Sequence, residues 1–307
     1  MNRPEKRAID GWLVLDKPVG LTSTRALGIC KRLFRPKKAG HAGTLDPLAS
    51  GILPLAFGEA TKTVSFAMDG EKVYRFTVHW GIETETDDAE GDAVATSDHR
   101  PDEAAIRAAL SRFTGTIMQR PPAYSAIKVD GERAYDLARA GEAVELAERP
   151  VEIDGLDLID MPDADHAVFG TVCGKGTYVR ALARDIARHL GTRGHVSALR
   201  RTAVGPFDEA DSISLEKLEE LGHKAPAPVD PAPFLLPVET VLDDIPALAF
   251  DRQEAARLRN GQPVLVKGSE APIVSGAAYA TERGRIVAIG SVEKGAFKPA
   301  RVFNFGG

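Results

Sequence analysis

The sequence predicts an α+β protein. Its main domain has a mixed, largely antiparallel sheet flanked by helices and loops, and a small β-rich domain follows. Three observations carry this expectation. Strand-like and helix-like segments are interspersed without the regular alternation of a parallel βαβ protein. Residues 72–81 alternate sharply, with Tyr74, Phe76, Val78 and Trp80 on one side and Arg75, Thr77 and His79 on the other. Six prolines, at 226, 228, 231, 233, 237 and 246, then set off residues 247–307.

Trp12–Asp16 reads as a short buried strand ending at Lys17-Pro18. Thr22 or Ser23 can cap a helix on which Ala26, Leu27, Cys30, Leu33 and Phe34 recur at helical spacing, and Pro36 ends it. Residues 40–54 hold three glycines and two prolines with no clean period, which predicts a structured loop. Pro101, Asp102 and Glu103 open a helix carrying Ile106, Ala109, Leu110 and Phe113, with Gly115 after it. Residues 126–129 read as a strand with a turn at 130–131, 133–140 as a short helix, and 151–159 and 167–173 as strands. Val179, Leu182, Ala183, Ile186, Ala187 and Leu190 mark an amphipathic helix. Residues 223–246 read as a linker plus an extended crossing segment. Beyond them, Phe250-Asp251 and Glu254 form a staple and capping-box pattern for a short helix ending at Asn260-Gly261. Strands are expected at 263–266, 286–292 and 299–305.

The 307 residues are 43% hydrophobic and 27% charged, the balance of an ordinary globular protein. No apolar run approaches the ~18 residues of a membrane helix, and Trp12–Leu15 is too short for a signal-peptide core. Cys30 and Cys173 form no metal-like cluster and fit a reducing compartment, so a cytoplasmic protein is expected. The net charge of −5 hides a segregation. Residues 25–41 hold six basic side chains and no acid, and residues 172–206 hold seven against Asp185 alone. Acids collect at 82–105 and 207–245. Such runs are often solvated helix faces, but two of them flanking one site predict a basic surface for a polyanion such as RNA.

No zinc, nucleophile-elbow or dinucleotide motif is present. Gly174-Lys175-Gly176-Thr177 imitates the end of a phosphate loop, yet Phe169 occupies its first glycine position and Gly176 replaces the hydroxyl residue after the lysine. The segment Gly40-His41-Ala42-Gly43-Thr44-Leu45-Asp46-Pro47-Leu48-Ala49-Ser50-Gly51 is the most informative. Asp46 stands before a proline in a glycine-rich loop where another molecule's backbone can come close. Alone, an Asp-Pro of this kind most often caps a turn.

The whole segment resembles the central motif of the bacterial TruB family, the pseudouridine synthases that modify the T-loop of transfer RNA. Four further stretches resemble the family's other blocks in family order: Leu15–Ser23, Lys72–Phe76 with Gly81–Asp87, Arg120–Ala126, and Cys173–Arg180 with Leu199–Thr202. They match its bacterial branch better than the guide-RNA relatives, so no guide RNA is expected. The resemblance implies a pseudouridine synthase domain at 9–236 with an insertion at about 120–150, and a PUA-like RNA-binding domain at 247–307. It implies detachment of uracil 55 from its ribose at N1, rotation, and reattachment through C5. Atoms are neither gained nor lost, so no cofactor and no metal are expected.

By resemblance Asp46 is the catalytic nucleophile, ionised in a pocket that excludes water, and Arg180 is its cationic partner. Tyr74 stacks on the extruded uracil and its hydroxyl assists proton removal from C5. His41 holds open the place the base leaves, and Tyr178 and Leu199 line the base pocket. Ordinary core packing is the competing account of Tyr74, Tyr178 and Leu199, and local hydrogen bonding that of His41. Arg184 and Arg188 follow Arg180 at four-residue steps and are expected to face solvent or phosphate, while Lys17 and Pro18 support the site. The partner is the transfer-RNA T-arm, met by a monomer with no membrane involvement, and affinity should fall steeply with salt. Three other readings stay open: a non-catalytic RNA-binding or tRNA-folding protein, a synthase acting on another RNA, and a carboxylate glycosidase. The last lacks a second acid motif to pair with Asp46.

Overall fold

The computed structural model describes residues 5–125, 127–129, 131–140, 146–224, 228–266 and 275–305. In chain order the first elements are β1 (Gly11–Lys17), α1 (Ser23–Phe34), β2 (Ala39–His41), β3 (Ala49–Phe57), α2 (Val64–Asp69) and β4 (Lys72–Trp80). A small hairpin, β5 (Ile82–Thr84) and β6 (Ala93–Thr96), precedes α3 (Glu103–Ala109) and β7 (Gly115–Gln119). Then come β8 (Lys128–Val129), β9 (Glu132–Arg133) and α4 (Ala134–Arg139). They are followed by β10 (Arg149–Asp163), β11 (His166–Cys173), α5 (Val179–His189) and β12 (Gly194–Val204). The short β13 (Phe207–Asp208) and β14 (Ile213–Ser214), α6 (Leu215–Lys224) and β15 (Leu235–Leu236) complete the main unit.

The main sheet runs β14-β1-β3-β12-β4-β11-β10-β7, and only the β1–β14 and β3–β12 pairings are parallel. Helices α1, α3, α4, α5 and α7 form where the sequence predicts them, whereas α2 and α6 were not foreseen. Thr22 caps α1 by accepting from the Arg25 N–H at 3.1 Å, and Arg35, left-handed at φ 55°, turns the chain out of it ahead of Pro36. Asp102 caps α3 in the same way. The apolar faces of α1 and α5 cover one side of the sheet, where Phe34, Phe57, Phe76, Trp80, Phe169, Leu182 and Ile186 are buried together.

Three expectations need correction. Only residues 42–48 of the predicted 40–54 loop lack strand structure, because β2 and β3 take the rest. Gly51 and Pro54 disguise β3, and the fold requires or tolerates both. At Gly51 (φ +102°) a Cβ would meet the Arg201 carbonyl oxygen at 2.1 Å, so only glycine admits the parallel β12 strand. Pro54 directs its carbonyl to the Ala42 N–H rather than to β1, so its missing donor falls where β12 has ended. Second, residues 228–246 are packed rather than a linker: Val229, Val238, Val241 and Leu242 are buried, and β15 pairs with β1. Pro226 lies outside the described residues, as do Ala126 and Asp130 of the predicted strand and turn. Third, β7 and the eleven-residue β12 went unpredicted.

The last segment forms a separate five-stranded sheet: β16 (Ala247–Ala249), β17 (Val264–Leu265), β18 (Gly276–Glu282), β19 (Arg285–Glu293) and β20 (Ala296–Val302), ordered β16-β18-β19-β20-β17. Its helix α7 (Arg252–Arg259) carries the predicted capping box with both bonds made. The strand expected at 299–305 begins and ends earlier, and β16 and β18 were not foreseen. Leu248, Phe250, Leu258, Val287 and Phe297 give this unit its own core. Ile286, Ile289 and Phe303 pack against Trp12, Val14 and Ile52 of the main sheet, which fixes the two units together.

Candidate active site

The Asp46 loop sits where β3 parts from β12: the two pair only at Ala49–Gly51 with Leu199–Arg201. Four clamps fix it. The buried Ser23 hydroxyl donates to the Leu45 carbonyl at 2.9 Å and accepts from the Leu45 N–H at 2.8 Å. Gly20 N–H donates to the Pro47 carbonyl. Arg201, 1% exposed, donates to the carbonyls of Gly43 and Ile52. Lys17, wholly buried, gives its ammonium to the carbonyls of Pro18 and Leu21, and burial lowers its pKa to about 8 although Asp46 opposes the shift. The predicted supporting place of Lys17 and Pro18 thus has a geometry. They tie the chain that delivers Ser23 to the loop.

Asp46 meets Arg180 at 2.9 Å (Oδ2 to Nη2). Arg180 stands in the first turn of α5 with its side chain 6% exposed, and both of its Nη atoms are engaged. It also pairs with the buried Asp88 at 3.2 Å and donates to the carbonyls of Thr86 and Tyr124. One planar guanidinium therefore joins the Asp46 loop, the hairpin turn and the start of the 120–150 segment. The water-excluding pocket expected around Asp46 is not present in the free protein: 38% of its side chain is open to solvent. The carboxylate is held from behind and reachable from in front.

Tyr74, half-buried on β4, lies across from Arg201 in the β4–β12 register. Burial raises its pKa, with Arg201 pulling the other way, so its hydroxyl is protonated at neutral pH. His41 ends β2, and burial together with the Arg201 charge lowers its pKa, leaving a neutral imidazole. Tyr178 is the residue from which α5 starts, and the Gln119 side chain brackets its backbone at both N–H and carbonyl. Leu199 is buried in the main core and touches a hollow of about 470 Å³ with Leu48, Ser50, Arg75 and Glu90. Asp46 and Tyr74 are not among that hollow's lining residues.

The expected basic face at 172–206 is a correction. Arg184 is buried and paired with Asp87 at 2.8 Å and Asp185 at 2.9 Å. Arg188 and Arg193 both pair with Glu83, and Arg200 with Asp16 and Glu209. The acidic run around residues 83–88 is therefore the internal counter-charge of α5 rather than a distant balance. Of the described cations in the two runs, the exposed ones outside ion pairs, Arg25, Lys31, Arg32, Lys37 and Lys38, belong to the first. Asp87, Asp88 and Arg201 were missed as site residues. The signal for the first two was present: acids at 83, 87 and 88 answer arginines at 180, 184 and 188, although nothing in the spacing announced that they would meet.

Burial lifts Asp87 to about 6 even against Arg184. A carboxyl whose folded pKa exceeds its unfolded one favours folding when protonated, so its contribution falls as pH rises from about 4 to 6. Arg184→Met strips away the cation and widens that window upward. We expect a loss of about 3 kcal/mol at pH 7.5, partly recovered at pH 5.5, in urea midpoints followed by circular dichroism. Equal losses at both pH values would refute the pairing energetics.

The mixed sheet, with its clamped, solvent-reachable carboxylate where two strands part, is an architecture shared with solved structures. A crystal structure of a Cbf5–Nop10–Gar1 complex superposes with TM-score 0.72 at 26% identity, covering 96% of this chain and 84% of that one. A crystal structure of the archaeal box H/ACA sRNP Nop10–Cbf5 complex, also at TM-score 0.72 and 24% identity, covers 97% and 86% and agrees in fold. Residues 31–179 match the TruB family pseudouridylate synthase N-terminal domain, and 180–243 match the tRNA pseudouridylate synthase B C-terminal domain. The tRNA pseudouridine synthase B of Bradyrhizobium diazoefficiens is 61% identical across 99% of this chain and 89% of its own. That of Rhodopseudomonas palustris is 61% identical across 99% and 84%. The chain belongs to the TruB family of pseudouridylate synthases.

Proposed function

We propose that this protein isomerises uridine 55 in the T-loop of transfer RNAs to pseudouridine. The observation that carries the reading is the Asp46–Arg180 pair: an acid open to a ligand on one side and fixed at 2.9 Å by a buried guanidinium on the other. Asp46 is the nucleophile that adds to the electron-poor nucleotide and leaves again, and Arg180 holds its charge and aim. The N1–C1′ bond breaks, the uracil turns, C5 bonds to C1′, and the C5 proton departs while N1 gains one. Every atom is retained.

The target base must leave its stack before Asp46 can reach it, at a cost of a few kcal/mol. Tyr74 packs on the extruded ring, Tyr178 and Leu199 close the pocket, and His41, uncharged, fills the place vacated. Residues 9–236 form the catalytic domain and 247–307 a PUA-like domain that grips the arm, aided by the cations of α1 and the chain that follows it. The protein works as a cytoplasmic monomer. No helix among the described residues is long and apolar enough to cross a membrane.

Incubation with an unmodified T-arm hairpin and nucleoside analysis tests this reading: pseudouridine at the single T-loop position is expected, and an unchanged hairpin would reject it. Tyr74→Phe separates two roles of the ring. We expect hairpin affinity within about twofold of the parent and isomerisation slowed at least about tenfold. Full speed would exclude the hydroxyl and leave only stacking.

A further inference from the structure

Among the described residues, six side chains carry a buried polar atom with no hydrogen-bond partner: Trp12, Trp80, His41, Ser125, Arg149 and Thr177. The two indoles lie in apolar core. The other four border the site. Ser125 follows Tyr124, whose carbonyl binds Arg180; Thr177 precedes Tyr178; and His41 begins the Asp46 loop. Native proteins seldom leave such groups unsatisfied, so each calls for an explanation.

Arg149 is the most specific member. It begins β10, directly opposite Gln119 in the β7–β10 register, and Gln119 is the residue that brackets the Tyr178 backbone. Its guanidinium lies over the Tyr178 ring, 5.4 Å from the centroid. One Nη2 donates to the Gly176 carbonyl at 2.6 Å, and the buried Nε–H has no acceptor. Tyr178 is thus held by its backbone from Gln119 and by its ring from Arg149, two residues before Arg180 takes Asp46.

We propose that Arg149 is a base-positioning residue: stacked on Tyr178 and pinned to Gly176, it fixes the ring that meets the extruded uracil. The proposal rests on the synthase reading above. Lysine has the charge but not the plane that lies over the ring while reaching the Gly176 carbonyl, so it cannot substitute.

The test is a cycle between protein and RNA. Dissociation constants are measured in an Asp46→Asn background, which prevents turnover, with and without Arg149→Gln or Arg149→Lys. The ligands are a T-arm hairpin with its target uracil and the same hairpin abasic at that nucleotide. Each Arg149 variant is expected to weaken the uracil hairpin about tenfold and to leave the abasic hairpin within about twofold. The abasic RNA also reports folding, since an unfolded variant loses both. Equal losses on the two RNAs, no loss on either, or recovery by lysine would overturn the proposal. If the parent protein itself does not distinguish the two hairpins, the base-pocket reading of the site fails first, and the conversion assay reports that separately.

Discussion

Asp46→Asn is expected to abolish pseudouridine formation, by at least about 10⁴-fold, while the affinity for the RNA stays within about threefold. The reason lies in how the two sides of the carboxylate are used. Its inner face serves only Arg180, and Arg180 keeps Asp88 and the carbonyls of Thr86 and Tyr124 when Asp46 becomes neutral. No buried group is orphaned, so the stability change stays within about 1 kcal/mol. The asparagine has the same shape and half-open position, and the RNA meets an almost unchanged surface. It lacks the charge and nucleophilicity that the chemistry needs. Single-turnover conversion, filter-binding affinity and a denaturant midpoint on one preparation, with the asparagine verified by mass, decide it. Slow but real turnover by intact Asp46→Asn sinks the nucleophile assignment.

Substitution of Arg180 is expected to damage both function and fold, which sets it apart. Arg180→Met leaves Asp88, 4% exposed, as a buried charge without its cation, at a cost of about 3–5 kcal/mol. Arg180→Lys keeps the charge but cannot reach two carboxylates and two carbonyls from one planar fork. Its stability loss is smaller, while conversion falls about a hundredfold to a thousandfold because Asp46 is no longer aimed. Urea titrations of the two variants beside single-turnover rates test the split. A lysine variant that is stable and fully active would show that charge alone suffices. A methionine variant as stable as the parent would deny that Asp88 depends on this guanidinium.

Much of the fold was legible where side chains repeat on one period. β4, α5 and the capped helices α1, α3 and α7 follow from alternation, apolar stripes and cap residues. β3 and β12 escaped for identifiable reasons. Gly51 and Pro54 suit β3 only because a neighbouring backbone comes so close and a donor is not needed there. β12 bears His195, Ser197, Arg200, Arg201 and Thr202, and it is bulged twice, between Val196 and Ala198 and between Arg201 and Ala203, so no simple period survives. Asp46 and its loop could be recognised as a motif, and Arg180 with them. The ring of ion pairs behind α5 could not. Charges that neutralise one another across about a hundred residues of chain read as two opposite runs until folding brings them together, and for that reason a basic face was expected where ion pairs stand.

The place of β12 constrains how the molecule is made. Formed from residues 194–204, it lies between β3 and β4, strands completed by residue 80. A chain emerging from the ribosome N-terminus first presents both of those strands long before the piece that joins them exists. During that interval their open edges are templates for unwanted pairing. The Asp46 loop, held at Gly43 and Ile52 by Arg201, settles only after about two-thirds of synthesis is done. Translation arrested short of that strand therefore yields no partially competent enzyme, only a client for chaperones.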